Sequence, residues 1–268
     1  QLNDNGTSYC GEWLHGLPHG FGTSYGVDKR KYYEGFRKNG VRHGIGKEYL
    51  NGKILYSGNW ENGNKTGQGN EFDKYGRITF IGEFSKNKKN GKGKWFTKSQ
   101  KIIKGNWENG ELNGDATILY PNGKKISCKF SKSGPDFSSV KIEYPDGTTY
   151  SGGLKDSKFQ GKGCYKNSKG ILIDTYWNEG SINQDYARIT HPNGFVYVGR
   201  INKDGIENGN GKLFDQNGCL VYVGEWKDGY MHGKGTRYHE DGLIVEEIFE
   251  YGNQTGVGKM SKKTEISI

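Results

Sequence analysis

The chain has 268 residues, with 39 Lys plus Arg against 30 Asp plus Glu and a formal net charge of +9. Glycine supplies 45 residues and proline only 5, which excludes collagen-like and proline-rich disordered chains. The 18 Tyr, 12 Phe and 6 Trp exclude a disordered chain of ordinary composition, yet a hydrophobic fraction of 31% is thin for a compact two-layer domain. Glycine and rings must therefore share a regular structural use.

Residues 1–8 read as a lead-in. From Tyr9 to Tyr25 the chain runs YCGEWLHGLPHGFGTSY. Tyr9, Gly11 and Trp13 are two apart and share one face of a predicted strand, while Cys10 and Glu12 face the other way. Leu14 to Pro18 carries Gly16 where a chain reversal wants positive φ. Gly20-Phe21-Gly22 opens a second strand that ends at Tyr25, so one unit is one β-hairpin. The same unit returns with Tyr56, Gly58 and Trp60, with Tyr197 and Gly199, and with Tyr222, Gly224 and Trp226. Its reading is Y-x-G-x-W-x-x-G-x-x-H-G-x-G-x-x-aromatic.

Successive units are anchored at Gly11, Gly35, Gly58, Gly82, Gly105, Cys128, Gly152, Thr175, Gly199, Gly224 and Glu247, in steps of 23 to 25 residues. That period makes residues 9–258 an array of about eleven units, degenerate near 126–147 and 173–194, with a basic tail at 259–268. In the second unit Phe36 follows Gly35 directly and marks a bulge. The linkers at Asn51-Gly52, Asn122-Gly123 and Asp146-Gly147 predict two-residue hairpin turns. A lone hairpin is marginal in water, so each must stack its aromatic and glycine face on its neighbours. The expected fold is all-β: an elongated single-layer antiparallel sheet of about eleven stacked hairpins, twisted as a right-handed ribbon. Unpaired terminal edges make homodimerisation an expectation as well.

The unit resembles the MORN (membrane occupation and recognition nexus) repeat, over essentially the whole stretch from Tyr9 to Gly258. The resemblance is close in units one, three, seven, nine and ten. It is looser in the fifth (Ala116 for a glycine), the sixth (Cys128), the eighth (Thr175, Gln184, Tyr186) and the eleventh (Glu247). It implies a scaffold, dimerisation module or membrane-proximal adaptor. Proteins similar to this occur in junctions between membranes, radial spoke heads of cilia and cytoskeletal collars of protists. Some carry attached lipid-kinase or methyltransferase domains, which gives a second alternative, a regulatory segment of a larger enzyme.

Chemistry is sparse beside this pattern. Gly22-Thr23-Ser24-Tyr25-Gly26 matches the hydrolase elbow G-x-S-x-G, but lies where a strand and turn are predicted, without the required helix. The recurring G-x-G is followed by a ring and lacks a third glycine, so it is no dinucleotide fingerprint. His19, His43 and His232 hold one unit position and read as turn residues bonding backbone groups. Cys10, Cys128, Cys164 and Cys219 are far apart without C-x-x-C spacing, so no zinc site or disulfide framework is expected. No apolar run approaches the ~18 residues of a membrane span, and the absence of an initiating Met reads as a fragment or processed chain.

The densest basic run is Lys86 to Lys104. Within it Lys86, Lys88, Lys89, Lys92 and Lys94 form a candidate patch for an anionic partner, worth about 1 kcal/mol per lysine near a charged leaflet. The expected function is a non-catalytic scaffold or protein-interaction module with no cofactor, in a ciliary or cortical cytoskeletal assembly of the cytoplasm. The alternative is a peripheral module on anionic phospholipid membranes. Nucleic acid is not expected, because the rings are committed to stacking.

Overall fold

The computed structural model describes residues 6–262. They form 22 strands in an open antiparallel sheet, with no helix among the described residues. Two units divide at Asp136 and Phe137. The first holds β1 (Ser8–Leu14), β2 (Leu17–Tyr25), β3 (Lys31–Lys38), β4 (Val41–Leu50), β5 (Lys53–Glu61), β6 (Asn64–Phe72), β7 (Ile78–Ser85), β8 (Lys88–Phe96), β9 (Ile102–Glu108), β10 (Glu111–Leu119) and β11 (Lys125–Ser131). The boundary falls inside β12 (Gly134–Glu143). The second unit continues with β13 (Thr149–Lys155), β14 (Lys158–Lys166), β15 (Leu172–Asn178), β16 (Ser181–Thr190), β17 (Val196–Ile201), β18 (Glu207–Phe214), β19 (Leu220–Lys227), β20 (Tyr230–Tyr238), β21 (Leu243–Glu250) and β22 (Asn253–Lys262). Within each unit every strand pairs antiparallel with the next in sequence. β22 runs four residues into the expected tail; residues 263–268, like 1–5 of the lead-in, lie outside the described residues.

Turns of two kinds alternate. Inside most repeats the tip is two residues with both φ positive, as at His15 (50°) and Gly16 (78°) or Asn62 (49°) and Gly63 (82°), the mirror-image turn that fits strand twist. Between repeats only Asn51-Gly52 is such a turn. The linkers at Tyr120–Lys124 and Tyr144–Thr148 correct the expectation. There Tyr120 N–H donates to Lys124 O (2.9 Å) and Gly123 N–H donates to Tyr120 O (2.9 Å), closing a five-residue loop. Pro121 suits this loop, having no N–H to close a two-residue turn around Asn122-Gly123, although Asp215–Cys219 closes the same loop around Asn217-Gly218 without a proline. Pro145 acts likewise, and elsewhere the loop is fixed by a side chain, as where Asp73 Oδ1 accepts from the N–H groups of Tyr75 (2.8 Å) and Arg77 (3.0 Å). In the ninth repeat a similar loop, Asn202–Ile206, replaces the tight tip and accounts for the longest step.

One row of the core takes one buried side chain from each repeat: Tyr9, Tyr33, Tyr56, Phe80, Ile103 and Ile126 in the first unit, and Tyr150, Ile173, Tyr197, Tyr222 and Val245 in the second. Each ring in this row lies over the second glycine of its own hairpin's G-x-G. A Cβ on Gly22, Gly46, Gly69, Gly93, Gly163, Gly211 or Gly235 would collide with the ring of Tyr9, Tyr33, Tyr56, Phe80, Tyr150, Tyr197 or Tyr222 respectively. In the seven ringed hairpins the first glycine faces the second in register, as Gly58 faces Gly69, so the two backbones approach closely beneath the ring. Six tyrosine hydroxyls then donate to the carbonyl three residues on, for example Tyr56 to Asn59 (3.1 Å) and Tyr197 to Arg200 (2.6 Å). The ladder slips beside that carbonyl, so a bulge recurs in these hairpins and is not peculiar to the second.

The ring two positions beyond the first glycine joins neighbouring repeats. Trp60 meets both Tyr33 (5.7 Å, 87°) and Tyr56 (5.2 Å, 86°) edge-on, and its Nε1 donates to Gly46 O (3.2 Å) of the preceding hairpin. Phe84 and Trp107 extend this chain around Phe80, while Trp226 bridges Tyr197 and Tyr222 in the second unit. Edge-on ring pairs add about 0.5–1.5 kcal/mol each beyond burial. Trp13 meets Tyr9 of its own hairpin edge-on (5.2 Å, 77°) and is 38% exposed. Arg37 takes the bridging place in the second repeat, its guanidinium over Tyr9 (5.9 Å) and Tyr33 (5.0 Å).

Replacing Tyr56 by Phe keeps the ring and deletes one hydrogen bond to the bulge. The expected loss is about 0.5–1.5 kcal/mol, read as a fall in the thermal midpoint, with the β-sheet circular-dichroism spectrum unchanged because Phe80 already serves this position without a hydroxyl.

Candidate functional site

The two faces of the sheet have different work. On the ring face, cations close over the rings: Arg42 over Tyr33 (4.8 Å), Lys65 over Tyr56 (4.6 Å) and Lys89 over Phe80 (4.8 Å). Glu48 holds Arg42 (2.7 Å) and Lys65 (2.9 Å), and Glu71 holds Lys89 (3.0 Å). Burial pushes the Tyr33 hydroxyl up to about 12, although Arg37 and Arg42 pull the other way. These charges are spent on the core.

The opposite face carries the side chains that flank the glycine row. Across consecutive strands of the first unit one line reads Phe21, Phe36, Ile45, Asn59, Gln68, Glu83, Lys92, Asn106 and Asp115. A parallel line includes Ile81, Lys94 and Lys104, mutually in register. Between the two lines, over Gly82, Gly93 and Gly105, runs an open groove. Its wall is fixed locally, because Glu83 Oε1 accepts from Lys92 N–H (3.3 Å) and its carboxylate rests on Gly91. Glu12 and Glu225 make the same contact to Phe21 N–H (3.0 Å) and Lys234 N–H (3.2 Å).

A family profile for the MORN repeat matches residues 9–29, 33–52, 56–72, 80–98, 104–125, 150–171 and 222–244, together more than half of the chain. The chain belongs to the MORN repeat family. Comparison of the sequence with curated proteins found no match. Among solved structures, the chain is similar to the SAS-4 (dCPAP) TCP domain of Drosophila melanogaster, in complex with a proline-rich motif of Ana2. The identity is 16%, covering 59% of this chain and 78% of that one, with a TM-score of 0.33. It is also similar to the wild-type TCP10 domain of Danio rerio CPAP in complex with a STIL peptide, at 13% identity over 96% of this chain and 100% of that one, with a TM-score of 0.30. At such identities and TM-scores neither carries an argument about this chain.

The MORN repeats beyond the profile's reach show how the pattern bends. In the eighth, Ile173 stands for the ring and Ala187 for the second glycine, and Thr175 Oγ1 donates to Tyr186 O (2.8 Å). In the eleventh, buried Glu247 fills the glycine place beside Val245 and meets Arg237 Nε at 3.1 Å. The ninth keeps Tyr197 over Gly211 and departs only in its longer tip.

Of the stacking residues named from sequence, Tyr9, Tyr56, Trp60, Tyr197, Tyr222 and Trp226 are buried, and Gly11, Gly58, Gly199 and Gly224 make the close backbone approach. The lysine patch does not hold together. Lys89 is committed to Glu71 and Phe80, Lys86 sits in a turn at φ 47°, and Lys88 is beside that turn. Only Lys92 and Lys94 share the groove, joined there by Lys104. Their position relative to the G-x-G signals this: Lys89 is in step with Gly91 and Gly93 and falls on the ring face, whereas Lys92 and Lys94 are out of step. The same count finds Arg37, in step with Gly35.

Ser24 of the G-x-S-x-G match is buried in β2 and accepts from Arg37 Nη2 (2.9 Å), far from a strand-to-helix elbow. Two of the three turn histidines bond backbone, Asn39 N–H approaching His19 Nδ1 (3.5 Å) and Tyr251 N–H approaching His232 Nδ1 (3.4 Å), whereas Nδ1 of His43 is buried without a hydrogen-bond partner. Among the described residues no three His, Cys, Asp or Glu converge as a metal site, and no helix is long and apolar enough to cross a membrane.

One titrating contact escaped the sequence reading. His191 Nε2 lies 2.8 Å from Oε1 of Glu207, a carboxylate only 6% exposed. The hydrogen bond that the charged imidazole donates to Glu207 raises the His191 pKa above its ordinary 6.5. A raised pKa in the folded state adds stability that is full below the unfolded value and lost as pH rises through the folded one. The gap in melting temperature between the parent and His191→Gln should therefore be larger at pH 6 than at pH 8; an equal gap at both would contradict the charged contact.

Proposed function

We propose that this MORN array is a non-catalytic scaffold that binds other proteins through the face opposite its rings. The observation that supports it is the division of labour between faces. Rings, their cations and the buried tyrosine hydroxyls are consumed in holding repeats together, while Phe21 and Phe36, in register across neighbouring strands, stay 47% exposed each and Ile45 on the next strand stays 65% exposed. Exposed apolar side chains lined up on one face mark a contact surface more readily than single scattered ones do. The family resemblance adds a setting, a ciliary or cortical cytoskeletal assembly or a membrane-proximal one in the cytoplasm. A role on anionic lipid is the second reading, supported by Lys92, Lys94 and Lys104 alone, since the other lysines are turned elsewhere.

Tagged full-length protein recovered from its own cells under mild lysis should carry partner proteins in fixed stoichiometry, and Phe36→Glu should reduce that recovery while leaving the melting temperature unchanged. Recovery only as the free chain, from every fraction, would overturn the reading.

A further inference from the structure

On the face opposite the rings, two chemically distinct features lie along the same groove direction. At one end Phe21 and Phe36 pair across strands with their rings edge-on at 5.6 Å, and Ile45 follows on the next strand. At the other end Lys94 and Lys104 stand directly opposite one another, with Lys92 beside them. Like charges facing across a ladder destabilise a sheet. None of these three ammonium groups meets a carboxylate among the described residues, although every lysine that serves the core does. Glu83, one of two acids lining the groove with Asp115, gives its carboxylate to the Lys92 backbone N–H.

Resting on the scaffold reading, we propose that this groove docks an extended acidic segment of a partner protein. An apolar or aromatic anchor packs on Phe21, Phe36 and Ile45, and a run of carboxylates neutralises Lys92, Lys94 and Lys104. The spacing is set by the sheet. From Phe36 on β3 to Lys94 on β8 is five strand steps, roughly 24 Å at ~4.8 Å per step. An extended chain covers that in about seven residues. A flat anionic membrane fits less well, because Glu34, Glu83 and Asp115 share this face with the lysines and would be pressed against the headgroups. A linear segment can place its acids over the lysines and spare those carboxylates.

The test uses the purified full chain and a displayed library of random peptides about twelve residues long, enough to span the groove. Enriched peptides should carry an aromatic or leucine residue and an acidic run about seven residues apart. A synthetic copy of the best one should bind more weakly by about tenfold or more in the Lys94→Glu, Lys104→Glu double variant and in Phe36→Ser, and change less than about twofold in Lys86→Glu. Circular-dichroism melting confirms that each variant is folded. Enrichment without acidic residues, or binding indifferent to reversal at Lys94 and Lys104, overturns the proposal. So does the absence of any binding peptide together with flotation on phosphatidylserine vesicles that requires those two lysines. Recovery of partners by the Lys94→Glu, Lys104→Glu variant at the parent level would reject this groove and leave the scaffold reading standing. Recovery of none by the parent rejects the scaffold itself.

Discussion

A ring seated on bare backbone is the constraint from which the remaining structure follows. The tyrosine or phenylalanine of each ringed hairpin reaches across to the second glycine of the same hairpin, and no side chain can be present beneath it. The close approach draws the two strands together at the glycine pair, the ladder slips one residue further on, and the exposed bulge carbonyl receives the tyrosine hydroxyl. Local conformation, pairing and hydrogen bonding therefore agree within one hairpin, which is what lets so short a unit be specified by so few residues.

Cooperation between hairpins is a second layer built on the first. Trp60, Phe84 and Trp226 each fill the space between two seated rings, and Trp107 packs on Phe80. Because the contact is steric and apolar, different chemistry can satisfy it. Arg37 does so with a guanidinium that also bonds Gly40 O (2.6 Å) and Ser24 Oγ (2.9 Å). In the fifth and eighth repeats ring and second glycine are lost together, Ile103 with Ala116 and Ile173 with Ala187, whereas the eleventh keeps Gly258 although Val245 stands for the ring. The paired changes in the fifth and eighth fill the site from both sides.

The period, the hairpin and the burial of the tyrosine row were legible in the sequence because each rests on residue types that have few other uses: glycine where no Cβ fits, and rings two and four positions apart. Two things were less legible. Asn122-Gly123 looks like the same turn as Asn51-Gly52, yet it sits in a five-residue loop closed by Tyr120 and Lys124, as Asn217-Gly218 does between Asp215 and Cys219. Lysines close in sequence look like one patch, yet strand alternation sends Lys89 to the rings and Lys94 to the groove. Lys104 joins Lys94 only through cross-strand register. The contact of His191 with Glu207 spans a loop and a strand sixteen residues apart and leaves no local signature.

The complementarity of ring and glycine is tested most directly by a double-mutant cycle at Tyr197 and Gly211, followed by thermal denaturation. Gly211→Ala and Tyr197→Ile should each lower the melting temperature, and the double variant, which copies Ile173 and Ala187, should be more stable than the sum of the two losses by about 1–3 kcal/mol. Strictly additive losses would contradict the account, since the two positions would then be stabilised independently and the glycine would not be there for the ring.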